Sequence, residues 1–232
     1  MATPDPSDAR KPSPRRTAPR RAGRPAGDGP DLRERLLDAA ITCYSREGIA
    51  AASSRGIARE AGVNPALLHY YFGDKTQLLD AVVAERLFPA FEIVREPLLH
   101  SGGEVMETID AFVRGMGEAI TRYPWLPALW VREVLCEGGA LRTLLLDRLA
   151  PQVPQVLADR FAAAQREGKL NAQLDPRLLV VSLVGLTLFP AAGAPIWRQM
   201  FRADDIDADA LRDHTSALLA GGLGVNGQRS GR

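Results

Sequence analysis

The sequence predicts an all-α protein, an N-terminal three-helix unit with a helix-turn-helix followed by a larger helical C-terminal domain. Three observations carry that expectation. Capping residues (Asp31, Ser53, Asn64-Pro65, Asp74) stand ahead of apolar residues spaced three and four apart. Glycines follow these runs, and further glycine and proline breaks recur at helix-length intervals to the end of the chain. With 232 residues, 46% of them hydrophobic, the chain can bury a substantial core, and no fixed-period repeat suggests a solenoid.

The first helix is expected to open at Asp31-Leu32-Arg33-Glu34, where Asp31 can cap free amides and Glu34 can reach back. Leu32, Leu36, Ala40 and Tyr44, with Leu37 and Ile41 beside them, form one apolar stripe, and Gly48 stops it. Ser53 starts a second helix with Ile57, Ala58 and Ala61 on its inner face. Gly56 weakens it by about 1 kcal/mol relative to Ala, so packing must hold it. Gly62 ends that helix, and Asn64-Pro65 starts the third, with Asn as N-cap and Pro at the first helical position. Leu68 and Phe72 point inward, which leaves Ala66, Leu67, His69 and Tyr70 facing out; Tyr71 is expected to join the core. A fourth helix has its own capping box, Asp74-Lys75-Thr76-Gln77, followed by Leu78, Leu79, Val82 and Val83.

Two short helices joined by a tight glycine turn and braced by a longer one form a helix-turn-helix, whose second helix commonly enters the major groove of DNA. The neighbouring segment supports this use. Residues 1–30 carry seven basic side chains against three acidic ones and are rich in Pro, Ala, Gly and Ser, which reads as a disordered basic arm. Such an arm can neutralise phosphates or simply solubilise the chain.

The stretch "LLDAAITCYSREGIAAASSRGIAREAGVNPALLHYYFGDKTQLL" resembles the N-terminal domain of TetR-type (TetR/AcrR) transcriptional regulators. The matching features are the leading helix ending in Gly48, the Ile57-Ala58 pair, the Ala61-Gly62-Val63 turn, Leu68, and Phe72 three residues before Lys75. The resemblance implies a homodimer that binds palindromic double-stranded DNA as a repressor and is released by a small apolar effector. It also implies site residues. Ser53, Ser54 and Arg55 would sit near phosphates, and Asn64, Pro65, Ala66, Leu67, His69 and Tyr70 would face the groove. Lys75 would hold a phosphate at the start of the fourth helix. Two positions depart from the pattern, Ala66 where glycine is common and His69 where tyrosine is common; an imidazole can still donate to a phosphate. Inside the third helix no Arg, Asn or Gln is available for bidentate base contact, so shape and water are expected to share the readout. The alternative function is a helical adaptor that docks protein on the same face.

C-terminal to residue 85, helical stretches are expected over 104–122, 126–136, 141–149, 154–167, 176–189 and 208–219. Leu178 to Trp197 contains no charged residue and is long enough to span a bilayer. Gly185, Pro190, Gly193 and Pro195 are expected to break it into a helix of about three turns and a bend, buried by core or by a partner subunit, with no membrane role. The last two helices are the candidate dimer interface. Phe112, Met116, Trp125, Trp130 and Cys136 are candidates for an apolar ligand cavity, although aromatic residues at helical spacing also fill ordinary cores.

Enzymatic, metal and cofactor chemistry finds no support. His69, His100 and His214 have no metal-ligand spacing, no glycine loop follows a strand, and neither Cys43 nor Cys136 has an evident activating base. Both cysteines are expected as buried free thiols of a cytoplasmic protein. The expected organisation is a basic arm (1–30), a DNA-binding domain (31–80), an effector-binding and dimerisation domain (81–222) and a flexible tail (223–232).

Overall fold

The computed structural model describes residues 30–149 and 152–223, and among them regular structure is entirely helical. All but the last residue of the expected basic arm (1–30) and all but the first of the expected tail (223–232) lie outside the described residues. Helix α1 (Pro30–Glu47) begins one residue earlier than expected. Pro30 takes the opening position, and Asp31 therefore lies in the first turn, where its charge favours the helix dipole instead of capping it. The predicted stripe of Leu32, Leu36, Leu37, Ala40, Ile41 and Tyr44 is buried throughout.

In α2 (Ser54–Glu60), Ser53 Oγ accepts the Gly56 amide at 3.0 Å. Gly62, at φ +68°, turns the chain with a left-handed backbone that a side chain would strain. Helix α3 (Pro65–Phe72) is capped by Asn64 Oδ1, which accepts the Ala66 amide at 2.9 Å. Helix α4 (Lys75–Val82) is capped by Asp74 Oδ1, which accepts the Gln77 amide at 2.9 Å. Only half of the expected capping box forms, because the Asp74 amide donates to the Phe72 carbonyl instead. Ile57, Leu68, Phe72, Leu78 and Val82 close over the α1 stripe as one core, each such side chain worth about 1.5–3 kcal/mol when fully buried.

The fourth helix does not stop there. A π-helical turn (Val83–Leu87) carries it into α5 (Phe88–His100), an element not anticipated from the sequence, with Pro89 in its first turn and Pro97 in its interior. In that wider turn the Phe88 amide reaches the Val83 carbonyl, and the Glu85 carbonyl, four residues before Pro89, accepts from Arg86 Nη1 at 3.0 Å. Next come α6 (Val105–Arg122), α7 (Leu126–Trp130) with a π-helical extension (Val131–Leu135), and α8 (Leu141–Leu144) with another (Leu145–Leu149). Helices α9 (Gln152–Arg166), α10 (Pro176–Phe201) and α11 (Ala208–Leu223) complete the fold. Their second core gathers Ile109 and Phe112 from α6, Leu157 and Phe161 from α9, and Leu183 and Leu188 from α10.

Two further expectations are corrected by the C-terminal part. Helix α10 runs through Pro190 and Pro195 to Phe201, where a bend had been expected after Phe189. An internal proline costs about 3 kcal/mol in an isolated helix, and here one tertiary partner stands ready: Thr215 Oγ1 of α11 lies 3.4 Å from the Leu186 carbonyl that Pro190 cannot serve. Within α10 itself the Trp197 indole donates to the Pro190 carbonyl at 2.7 Å. The helix is long and apolar enough to cross a membrane, yet Leu179, Val180, Leu183 and Leu188 are buried in the core. The second correction concerns Cys136. It is exposed, because the chain leaves the helix there in an extended conformation and Arg142 holds its carbonyl at 3.0 Å. Cys43 is buried as expected, and burial raises its thiol pKa, which makes it unreactive.

Candidate nucleic-acid interface

The outer face of α3 is built by what lies under it. Leu68 and Phe72 are buried, and Arg33 lies over the Phe72 ring at 5.2 Å, so the helix is held from one side only. Opposite them Ala66, His69 and Tyr70 are exposed, Tyr70 by 76%. Leu67 was expected with these but is half-buried. Tyr71 is half-buried against the core and meets the Tyr70 ring edge-on at 5.2 Å, which stiffens the exposed tyrosine.

Capping uses some of the polar groups and frees others. Asn64 and Pro65 are exposed; the Asn64 side-chain oxygen is committed to the cap, and its amino group remains outward. Ser53 and Arg55 are exposed and Ser54 is half-buried at the start of α2, where unpaired amides favour an anion. His69 Nδ1 lies 2.8 Å from the Gly73 carbonyl and is the donor in that pair. In the neutral ring Nε2 is then an acceptor, so only the imidazolium could donate to a phosphate, which narrows the role expected for this residue. Lys75 Nζ donates to the Ala50 carbonyl at 3.0 Å. That bond joins the start of α4 to the turn preceding Ser53, and the ammonium keeps two protons for another acceptor.

A cavity of about 190 Å³ lies in the second core. Phe112, Met116 and Trp130 line it as expected, together with Leu157, Val180 and Leu188, and every lining residue is apolar. Trp125 and Cys136 are not among them. Trp125 meets the Tyr123 ring at a tilt of 46°, centroids 5.3 Å apart, and packs against the first core, while Cys136 faces solvent. Leu87, Phe91 and Val94 also line the cavity and were missed with the α5 region that carries them.

On α10, Leu178, Val181, Phe189, Ile196 and Met200 are 63 to 75% exposed and recur at helical spacing along one face. Leu218 of α11 is 53% exposed as well. So large an apolar stripe is a mark of an interaction surface.

Comparison with known proteins agrees with this geometry. The family model for bacterial regulatory proteins of the tetR family matches residues 36–82. The HTH-type nicotine-responsive transcriptional repressor HdnoR of Paenarthrobacter nicotinovorans is 44% identical over 167 residues, covering 68% of this chain and 82% of that protein. In fold, the chain is similar to the ketosteroid transcriptional regulator KstR2 of Mycobacterium tuberculosis, with a TM-score of 0.68 at 20% identity over 87% of this chain and 99% of that one. It is also similar to the regulator FadR of Bacillus subtilis, solved with stearoyl-CoA, with a TM-score of 0.60 at 18% identity over 82% and 98% of the two chains.

Proposed function

The chain belongs to the TetR family of helix-turn-helix transcriptional regulators, which are not enzymes, and from that premise we propose that it is a dimeric repressor released by a small apolar effector. The observation that carries the reading is the exposed outer face of α3, capped at Asn64 and braced from below by Leu68 and Phe72. Residues 31–80 form the DNA-binding domain. Ser53, Ser54, Arg55 and Lys75 meet phosphates, while Asn64, Pro65, Ala66, Leu67, His69 and Tyr70 meet the groove. Residues 81–222 dimerise and bind the effector. The exposed stripe of α10, with Leu218, packs against its two-fold copy in a four-helix bundle, which suits a face too apolar for solvent. The cavity, without a charged lining residue, suits an uncharged apolar ligand. The cytoplasm, with its DNA, is the compartment this function requires.

Selection of bound fragments from random double-stranded DNA tests the reading. A palindromic consensus whose affinity falls steeply with salt is expected. Equal, salt-insensitive binding to every fragment would instead favour a protein-docking role for α3.

A further inference from the structure

Glu133 lies in the π-helical turn after α7 and is 5% exposed. A buried carboxylate is costly unless its lone pairs are filled. Here Oε1 accepts the Ile49 amide at 2.9 Å and Oε2 accepts the Ala140 amide at 2.9 Å. The two amides belong to different parts of the molecule. Ile49 lies in the turn between α1 and α2, and Ala140 stands just before α8. Two glycines make room for Glu133, one beside its carboxylate and one beside its backbone. A Cβ on Gly48, whose φ is +92°, would sit 3.0 Å from Oε1, and one on Gly139 would overlap the Glu133 backbone.

The residues beside the two anchor points connect the carboxylate to the cavity. Val134 follows Glu133 and Leu141 follows Ala140; both line the cavity, and both also pack on the core of α1–α4. One wall of the cavity is therefore also a wall of the N-terminal core. On the far side of the turn, the carbonyl of Ala50, next to Ile49, holds Lys75, and Ser53 caps α2. All three π-helical turns among the described residues contribute to the cavity lining, through Leu87, Val134 and Leu145. Such turns are rare and are frequent at functional sites.

We propose that Glu133 is the positioning residue that couples occupancy of the cavity to the DNA-facing surface. The inference rests on the reading of the cavity as an effector site. An occupant that moves Val134 or Leu141 outward lengthens one of the two bonds to the carboxylate. The 48–53 turn is then released, and with it the α2 cap and Lys75. By linkage, bound DNA lowers affinity for the occupant by the same factor.

The test uses the full chain, 1-dodecanol as an uncharged cavity probe, and a duplex that the wild-type protein selects from random DNA. Calorimetry measures dodecanol binding, and fluorescence anisotropy measures DNA affinity with and without saturating dodecanol. Dodecanol is expected to weaken DNA binding by the wild type about tenfold or more. In Glu133→Gln, which keeps size but loses one acceptor, the expected effect is less than about threefold with dodecanol affinity unchanged. An undiminished ratio in the variant overturns the proposal, as does complete loss of DNA binding in a variant with wild-type helicity, which would make Glu133 a brace. Failure of dodecanol to bind the wild type removes the effector reading, and the coupling is then judged with Val184→Phe, which fills the cavity from α10. Faster amide hydrogen exchange at Ile49 in that variant supports the proposal, and unchanged exchange overturns it.

Discussion

Arg33 of α1 grips Glu85, in the π-helical turn between α4 and α5, through two hydrogen bonds of 2.5 and 2.6 Å. The next residue returns the contact, with Arg86 bonded to Glu34 at 2.7 Å and to Asp38 at 2.8 Å. These crossed pairs tie the first helix to the long helix whose later turns line the cavity.

The hydrogen bond from Arg33 holds the Glu85 carboxyl below its ordinary pKa of 4.5, against the opposing effect of burial. A carboxyl whose folded-state value is lowered stabilises fully above the unfolded value, and the contribution is lost as pH falls through the folded value. Glu85→Gln is therefore expected to cost up to about 1 kcal/mol at neutral pH, the pair being about one-third exposed. Urea unfolding should show that difference shrinking as pH drops below the ordinary carboxylate range.

Leu68→Ala removes a fully buried side chain beneath the α3 face and is expected to destabilise the protein by about 2–5 kcal/mol. Loss of DNA binding should accompany it even where α6 to α11 remain folded. Thermal unfolding together with anisotropy titration would show both effects.

Lys75→Ala removes one proposed phosphate partner per subunit. Binding should weaken about equally for all sequences, and the slope of log affinity against log salt should drop by roughly 0.9 for each phosphate no longer neutralised. An unchanged slope, measured by titration across salt concentrations, would restrict Lys75 to its bond with Ala50.

Phe189→Glu places a charge on the most exposed large side chain of the α10 stripe. Sedimentation equilibrium is expected to show a monomer, with DNA affinity reduced by at least about tenfold, since a two-fold site then engages only one half-site at a time.

The N-terminal unit was legible almost residue by residue because its signals are local. Ser53, Asn64 and Asp74 each fill the capping role read from sequence, and Ile57, Leu68 and Leu78 are buried at the positions their spacing dictates. The C-terminal part was legible only where helices start and stop by those same rules. Pro89, Pro190 and Pro195 are strong local breakers, yet the helices continue through them; Thr215 of α11 reaches the Leu186 carbonyl ahead of Pro190 across 29 residues, a contact with no short-range signature. Trp125 and Trp130 are five residues apart and look alike in sequence, yet they face different cores. Which of them meets a cavity is decided by packing across the whole molecule. Glu133 drew no notice, since a lone acidic residue gains meaning only once the amides of Ile49 and Ala140 are brought to it.

Leu141 belongs at once to the lining that would sense an effector and to the core beneath the helices that would read an operator. Inheritance at that position is therefore pleiotropic. A lineage adapting to a new inducer can exchange Val180 or Leu188 for apolar residues of similar volume without touching the N-terminal core, but a change at Leu141 would reach sensing and promoter occupancy together. Engineers who retune the chain as a biosensor should begin on the α10 wall and leave the shared one alone.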